Sequence, residues 1–193
     1  RDGINYPTVR IGEQTWMSEN LAYKASRGKF WAYENKESNV DLYGYLYDSE
    51  AARNACPDGW HLPSDIEWSE LIGYLGGSRV AGGKMKGVSG WRNNGNGENT
   101  SGFNAQPGGH VSWFIEGQDL FAVAGGIGYF WSAEKNFYAI GRDSEEISKY
   151  PGYDAGYSVR CVQDKPVQGI EANSAKPSRY TVGQSRDGGI LFG

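Results

Sequence analysis

The amino-acid sequence predicts an α+β fold with two short helices, small antiparallel sheets and long loops. Aromatic residues make up 14% of the 193 residues, which is typical of a folded domain because disordered chains lack the large rings that drive burial. The 29 glycines and 7 prolines indicate many tight turns. Short β-rich runs in the second half of the chain predict a sheet.

The first 47 residues are predicted to be extended and rich in turns. Val9 and Ile11 alternate with polar neighbours, which indicates a strand with one buried face. Leu42, Gly44 and Leu46 interleave with three tyrosines at the same two-residue period. We therefore expect a strand in each of these segments.

Two helices are predicted next. Asp48 precedes an alanine-rich turn that ends near Cys56, and Pro57 cannot continue a helix. The second helix begins with a capping box from Ser64 to Glu67 and stops at two glycines. Its apolar residues recur at helical spacing: Trp68, Leu71, Ile72 and Leu75.

The remaining chain is predicted to be loops, then a sheet, then a tail. Residues 78–109 are rich in Gly, Asn and Ser and are expected to form long loops. Five β-rich runs follow and predict an antiparallel meander: residues 111–116, 120–124, 129–132, 137–140 and 157–162. The composition changes after Asp164, so residues 1–164 are expected to form the domain and 165–193 a linker or tail.

Composition and charge argue against several classes of partner. No stretch approaches the roughly 20 apolar residues of a membrane span, so membrane insertion is not expected. The net charge is −4 and the basic residues are spread along the chain, which argues against nucleic acid. The chain starts at Arg1 without an apolar leader, which predicts a processed protein or an excised fragment.

The two cysteines and two histidines do not form a recognisable metal-binding or catalytic motif. Cys56 and Cys161 are either buried thiols or a disulfide, and the residues alone leave both states open. His61 and His110 have no further ligand at metal-binding spacing, so no zinc site is predicted. Residues 93–99 contain a single carboxylate, which favours turns over a bound cation.

Seven phrases, in order, resemble the Fibrobacter succinogenes major paralogous domain, a family of secreted and surface modules in bacteria. They are IGEQTWMSENL at 11–21, YGYLY at 43–47, ACPDGWHLPSDIEW at 55–68, SGW at 89–91, GFNAQPGG at 102–109, GYFWSAE at 128–134 and GYSVRCV at 156–162. The resemblance covers roughly residues 4–164 and excludes the tail.

The resemblance implies a C-type lectin-like fold in which a disulfide ties the end of the first helix to the last strand. Cys56 and Cys161 occupy these two places, so the resemblance favours their disulfide. Closing a loop of about 100 residues would contribute some 4 to 5 kcal/mol in the entropy model. Such a bond would also imply an oxidising compartment.

The resemblance implies neither a bound metal ion nor an enzyme activity. The calcium-binding motifs of sugar-binding C-type lectins are missing, because Gly108 follows Gln106 and Pro107 where a carboxylate should stand. The cysteines assigned to the disulfide leave no thiol for the oxidation chemistry of formylglycine-generating enzymes. No carboxylate pair is recognisable for glycoside hydrolysis. We therefore expect no cofactor, no metal and no enzyme activity.

Most tryptophans stand inside the family-like phrases and are expected to form the core, together with Phe103. A second group of polar and aromatic residues lies between recognisable phrases, and its composition is typical of adaptable binding loops. We predict a ligand site from this group: Asn136, Tyr138, Arg142, Asp143, Tyr150, Tyr153 and Asp154, with Phe137 leading into it. The alternative is a set of ordinary exposed strand and turn positions.

The sequence thus predicts a non-catalytic binding module that recognises a glycan or a protein through late loops. It is expected to be secreted or displayed on the outer surface of a bacterium. The alternative function is a structural or assembly subunit of a surface layer or appendage, in which the late loops contact neighbouring copies by self-association.

Overall fold

Short helices lie among strands in the first half of the chain, and strands follow α4, in the computed structural model, which describes residues 3–115 and 118–165, the side chains of residues 114 and 115 excepted. The described helices are α1 (Val40–Tyr43), α2 (Ser49–Ala55), α3 (Asp65–Tyr74) and α4 (Ser78–Met85), with 3-10 turns at Tyr33–Asn35 and Glu37–Asn39. The described strands are β1 (Thr8–Ile11), β2 (Gln14–Met17), β3 (Phe30–Trp31), β4 (Leu46–Tyr47), β5 (Trp60–His61), β6 (His110–Ile115), β7 (Gln118–Ala122), β8 (Ile127–Trp131), β9 (Asn136–Gly141), β10 (Ile147–Pro151), β11 (Ala155–Ser158) and β12 (Val162–Gln163). The linker predicted for 165–193 lies outside the described residues, apart from Lys165.

Both predicted helices are confirmed, as α2 and α3. The Asp48 carboxylate accepts a hydrogen bond from the Ala51 amide at 2.7 Å and caps α2, which ends immediately before Cys56. The predicted capping box starts α3, where the Ser64 hydroxyl accepts from the Glu67 amide and the Glu67 carboxylate accepts from the Ser64 amide. These caps satisfy amide groups that a helix N-terminus leaves without partners.

Two further helices correct the prediction of only two. Residues 78–109 were expected to be loops, but α4 occupies the first part of that segment. Residues 42–47 were expected to be one strand, but α1 ends at Tyr43 and β4 begins at Leu46. Gly44 separates α1 from β4 with a φ of 68°, a backbone conformation that glycine adopts without steric cost.

The strands form one large sheet and one small sheet. The large sheet has the order β10-β9-β8-β11-β4-β3, with the β6-β7 hairpin attached through β6 to β11. The small sheet has the order β1-β2-β12-β5. The predicted antiparallel pairing is confirmed for β6 with β7 and for β8 with β9. The prediction missed β10, which pairs antiparallel with β9, and it was wrong for β11, which lies parallel to β8, so the sheet is mixed.

The large sheet carries an apolar cluster on each face. On one face, Trp68 and Leu71 of α3 pack with Met85 of α4 and with Phe130 and Ile140 of the sheet. The second cluster joins α2 to the other face, through the alanines of the helix and the rings of Tyr47, Trp131, Phe137 and Tyr157. The predicted aromatic core is confirmed for Trp16, Trp68, Trp91, Phe103 and Trp131, whereas Trp60 is only half-buried.

The chain crosses from the large sheet to the small sheet between β11 and β12. Cys161 lies in this crossing and forms a disulfide with Cys56, with the two Cα atoms 5.9 Å apart, a separation usual for disulfides. Arg160 is fully buried there, and its guanidinium donates to the Asn20 side chain and to the carbonyls of Met17, Phe103 and Asn104. Among the described residues, no helix has the length and apolar character of a membrane span.

Candidate functional site

The predicted site residues fall into three separate places in the structure. Asn136 and Tyr138 point toward α3, Tyr150, Tyr153 and Asp154 lie near the start of β9, and Arg142 and Asp143 lie in the turn beyond its end. Phe137 and Arg142 are five positions apart along the chain, which corresponds to about 17 Å in extended backbone. The structure therefore does not bring the predicted residues into a single site.

Tyr138 is buried, which corrects the expectation of an exposed ring. Only 3% of its surface is exposed, and its ring stacks on Trp68 with centroids 4.7 Å apart. The cause is the alternation of side chains along β9. Tyr138 and Ile140 face α3 and α4, whereas Phe137 faces the other side of the sheet, where α2 packs. Burial, followed by the nearby Asp65 carboxylate, raises the pKa of the Tyr138 phenol well above its usual range.

Asn136 is engaged in a structural network at the N-terminus of α3. Its side-chain amide donates to the Asp65 carboxylate at 2.6 Å, and Lys149 and the Tyr138 hydroxyl contact the same carboxylate at 3.3 Å. Burial opposes ionisation of Asp65, but the hydrogen bonds from Asn136 and Lys149 and the Lys149 charge outweigh burial and lower its pKa. The Asn136 amide therefore serves the contact between β9 and α3.

Arg142 and Asp143 form their own ion pair at 2.9 Å in the turn between β9 and β10. The backbone carbonyl of Arg142 accepts a hydrogen bond from Lys86 at 3.0 Å. Both residues line a surface depression of about 560 Å³ together with Arg92 and Val123. This depression lies beyond the opposite end of β9 from Tyr150 and Tyr153, so it is a separate feature.

The remaining predicted tyrosines belong to a group of rings that we call the late aromatic surface: Tyr129, Phe137, Tyr150, Tyr153 and Tyr157. Phe137 and Tyr157 are buried at its base, and their ring centroids are 4.6 Å apart. Tyr150 stacks on Phe137 at 5.4 Å, and Tyr153 meets Phe137 edge-on at 5.9 Å. Tyr150 and Tyr153 are each 48% exposed, so both present ring area to solvent.

The turn that carries Tyr153 is held tightly against the sheet. The Gly152 amide donates to the carbonyl of Lys135 at 2.8 Å. A Cβ atom at Gly152 would collide with that carbonyl and would lie 2.6 Å from the Trp131 ring. Only glycine allows this approach, so the backbone between Tyr150 and Tyr153 is positioned by packing.

Two phenols of the late aromatic surface, those of Tyr129 and Tyr157, have a raised pKa. Burial raises the pKa of Tyr129, and the nearby Tyr153 and Tyr150 add to the effect. Burial and the Tyr153 hydroxyl together raise the pKa of Tyr157. Neutral phenols can both donate and accept hydrogen bonds. The surface can therefore offer flat apolar rings edged by hydroxyl groups.

Two members of the late aromatic surface escaped the sequence prediction. Tyr129 and Tyr157 stand inside family-like phrases and were not assigned to the site. Strand alternation would have indicated Tyr129, because it shares a face of the sheet with Trp131 and with Phe137, the cross-strand partner of Trp131. Tyr157 reaches the same face from β11, which lies parallel to β8 and could not be placed from sequence.

Within residues 3–115 and 118–165, no three histidine, cysteine or acidic side chains lie close enough together to hold a metal ion. Cys56 and Cys161 are joined to each other and leave no free thiol in that part of the chain. The chemistry at the late aromatic surface is that of stacking and hydrogen bonding.

The fold and this surface define the protein as a disulfide-linked α+β domain with an aromatic patch on the edge of its large sheet. The sequence profile of the Fibrobacter succinogenes major domain matches residues 9–163, and the chain belongs to this family. Comparison with curated proteins found no match, and comparison with solved structures found none either.

Proposed function

We propose that this domain is a non-catalytic binding module that holds a glycan on the late aromatic surface, outside the cell or on its surface. The observation that carries the proposal is the pair of half-exposed rings, Tyr150 and Tyr153, supported from below by Phe137. Sugar rings present C–H groups on their faces and hydroxyls on their edges. Rigid tyrosines complement both, because they offer ring area at small entropic cost and a polar hydroxyl.

We further propose that the architecture is C-type lectin-like. In its support, the disulfide joins the residue after α2 to the crossing between β11 and β12, as that fold requires. The long segment between α4 and β6 also agrees with such a fold. The disulfide favours an oxidising compartment, which supports a secreted or surface-exposed domain.

The test is a glycan array probed with the wild-type domain and with the double variant Tyr150→Ala/Tyr153→Ala. We expect the double variant to lose retention while its thermal midpoint stays nearly unchanged, because half-exposed rings contribute little to the core. Tyr74→Ala is the matched control, since Tyr74 is an exposed tyrosine on α3, 69% exposed and remote in sequence from this surface. Binding should persist in excess EDTA.

Three results would contradict the proposal. Retention that survives removal of both rings would place the ligand elsewhere. Polymerisation that rises with protein concentration, and that the double variant abolishes, would show that the rings contact neighbouring copies and would favour the assembly role. A pull-down in which only proteins are retained through these rings would replace the glycan with a protein ligand.

A further inference from the structure

A second concave surface lies away from the late aromatic surface, between the N-terminal segment and the 3-10 turns. It is a groove of about 800 Å³, within the usual size range of small-molecule sites. Its walls combine tyrosine rings with carboxylates and amides: Tyr23, Tyr45, Glu37, Asp41, Asn104 and Gln106. The late aromatic surface, by contrast, contains no carboxylate or amide side chain among its five residues.

The carboxylate of Glu37 is held in position over the groove. The hydroxyl of Tyr45 donates to it at 2.6 Å, while the Tyr45 ring itself is only 2% exposed and therefore fixed in the core. Lys24 approaches the other carboxylate oxygen at 3.5 Å. The Tyr45 hydrogen bond, aided by Lys24, lowers the pKa of Glu37, so the acceptor stays ionised at neutral pH. A fixed, ionised acceptor is suited to hydroxyl donors.

The floor of the groove is rigid. Asn20 is buried there, and its side-chain amide donates to the Tyr43 carbonyl at 2.8 Å and to the Ser158 hydroxyl at 3.2 Å, while its oxygen accepts from Arg160. A Cβ atom at Gly44 would lie 2.6 Å from the Leu21 carbonyl, so only glycine fits at this point of the floor. The groove therefore exists before any ligand arrives, which lowers the cost of binding.

The opposite wall is also positioned by hydrogen bonds. The backbone amide of Asn104 donates to the Asn99 side chain at 2.7 Å, and the Gln106 amide donates to the Asn104 side-chain oxygen at 3.2 Å. These contacts fix the backbone of Asn104 and join the side chains of Asn104 and Gln106, both of which line the groove. Amide and carboxylate groups in one groove suit a ligand that carries several hydroxyls.

The charge of the groove selects among such ligands. Glu19, Glu37 and Asp41 line it, and Lys24 is the basic residue among its lining residues. Because Lys24 already pairs with Glu37, the groove carries excess negative charge. An acidic ligand would be repelled, whereas a neutral or amine-bearing ligand would not.

We propose that this groove is a second ligand site, which takes a neutral or amine-bearing saccharide. The saccharide hydroxyls donate to the Glu37 and Asp41 carboxylates, and its ring lies against the half-buried ring of Tyr23. This proposal does not rest on the late aromatic surface, since the two surfaces share no residue. A chain held at both sites would bind more tightly than at either alone, provided that its length spans them.

The experiment uses three oligosaccharide probes: neutral xylo-oligosaccharides, chitosan oligomers with free amines, and oligogalacturonates. Saturation-transfer NMR and calorimetric titration are run on the wild-type domain and on Glu37→Gln. We expect the neutral or the amine-bearing probe to bind and the galacturonates to fail. Glu37→Gln should raise the Kd about tenfold, because a charge-assisted hydrogen bond is replaced by a neutral one.

The matched control is Glu34→Gln, because Glu34 is an exposed carboxylate three residues away that pairs with Lys36 and does not line the groove. Its Kd should equal that of the wild type, as should that of Tyr150→Ala/Tyr153→Ala. Equal losses in Glu37→Gln and Glu34→Gln, binding of galacturonates, or binding of a lysine-rich peptide while all three saccharides fail would each overturn the proposal. Loss only in the tyrosine double variant would assign the saccharide to the late aromatic surface alone.

Discussion

At the scale of single residues, Trp68 joins α3 to both sheets. Its ring is fully buried and lies 5.0 Å from the Trp16 ring of the small sheet and 4.7 Å from the Tyr138 ring of the large sheet. Its indole nitrogen donates to the Trp131 carbonyl at 3.3 Å. Because one side chain contacts both sheets, no neighbour can fill its place by a small shift.

We predict that Trp68→Ala lowers the free energy of unfolding by about 3 to 5 kcal/mol, because it removes the apolar contacts and leaves a cavity. Urea unfolding monitored by circular dichroism would measure the change. Ile66→Ala on the same helix is the control, since Ile66 is 69% exposed and its loss should stay within about 0.5 kcal/mol. A change below about 1 kcal/mol for Trp68→Ala would contradict the assignment of this ring to the core.

His61 connects the start of α3 to the end of the described domain. Its ring nitrogens lie 2.6 Å from the Asp164 carboxylate and 2.8 Å from the Glu67 carboxylate. Burial disfavours the charged imidazole, but the hydrogen bonds to Asp164 and Glu67 outweigh burial and raise the pKa of His61. Burial alone acts on His110, and it lowers the pKa of that residue.

We predict that an NMR titration finds the pKa of His61 above 6.5, the ordinary histidine value, and the pKa of His110 below it. The raised pKa means that His61 stabilises the fold fully below about pH 6.5, and that this contribution is lost as the pH rises through the folded-state pKa. The loss should be at most about 1 kcal/mol, because the half-exposed pairs are screened by solvent. The stability difference between wild type and His61→Gln should therefore shrink at alkaline pH, and a difference that grows there would contradict the assignment.

At the scale of elements, α4 shows how packing overrides local sequence preference. Its central glycines argue against a helix, because glycine costs about 1 kcal/mol relative to alanine. The structure explains why glycine stands at position 82. A Cβ atom there would lie 2.7 Å from the Glu146 carbonyl oxygen and 2.8 Å from the Glu145 carbonyl oxygen. The Gly83 amide donates to that same Glu145 carbonyl at 3.0 Å. The glycine therefore allows α4 to dock against the start of β10.

We predict that Gly82→Ala destabilises the domain by about 1 to 3 kcal/mol, because the added methyl group must push α4 away from the backbone beside β10. Gly73→Ala is a matched control within α3, where a Cβ atom would meet nothing within 4 Å. That substitution should stabilise by about 0.5 to 1 kcal/mol through helix propensity alone. Thermal or urea unfolding of the two variants would measure the change in stability caused by each substitution. Stabilisation by both Gly82→Ala and Gly73→Ala would mean that α4 does not approach β10 closely.

The sequence was sufficient to predict an element wherever the residues of that element alone determine its structure. The capping residues Asp48 and Ser64 predict the starts of α2 and α3 because a side-chain oxygen must accept from the first amides of a helix. The β8-β9 hairpin was predictable from its short alternating runs. Residues 157–162 were predicted as one strand, yet the chain leaves the large sheet at Ser158 and enters the small sheet at Val162, which no local pattern specifies.

The candidate site was predictable only in part, for the same reason. Tyr150 and Tyr153 were expected at the surface and lie there. Tyr138 was placed beside them by its chain position, although the alternation along β9 turns its ring to the opposite face. The groove beside Tyr45 joins segments separated by up to a hundred residues, so its lining depends on tertiary packing that composition does not reveal.

At the scale of the whole molecule, the crossing between β11 and β12 holds the two sheets together. Arg160 contacts the β2 end through the Met17 carbonyl, the long middle segment through the Phe103 and Asn104 carbonyls, and the groove floor through Asn20. Its guanidinium also lies 4.3 Å from the Phe103 ring centroid. A buried arginine is stabilised only by such complete pairing, so these segments are positioned together. The covalent bond at the neighbouring Cys161 acts on the same crossing.

We predict that removing this bond, by reduction or by Cys56→Ser/Cys161→Ser, lowers the free energy of unfolding by about 4 to 5 kcal/mol, because the freed loop of 105 residues gains entropy when unfolded. The urea midpoint should fall and the m-value should rise, since an unfolded chain without the crosslink exposes more surface. Wild-type protein in reductant and the double serine variant should agree, which separates loss of the bond from a defect of the serines. An unchanged midpoint would mean that Arg160 and the core alone hold the crossing. Because most domains are stable by only about 5 to 15 kcal/mol, the expected loss would remove about a quarter or more of the stability, so the domain should be most stable in an oxidising compartment, where the bond persists.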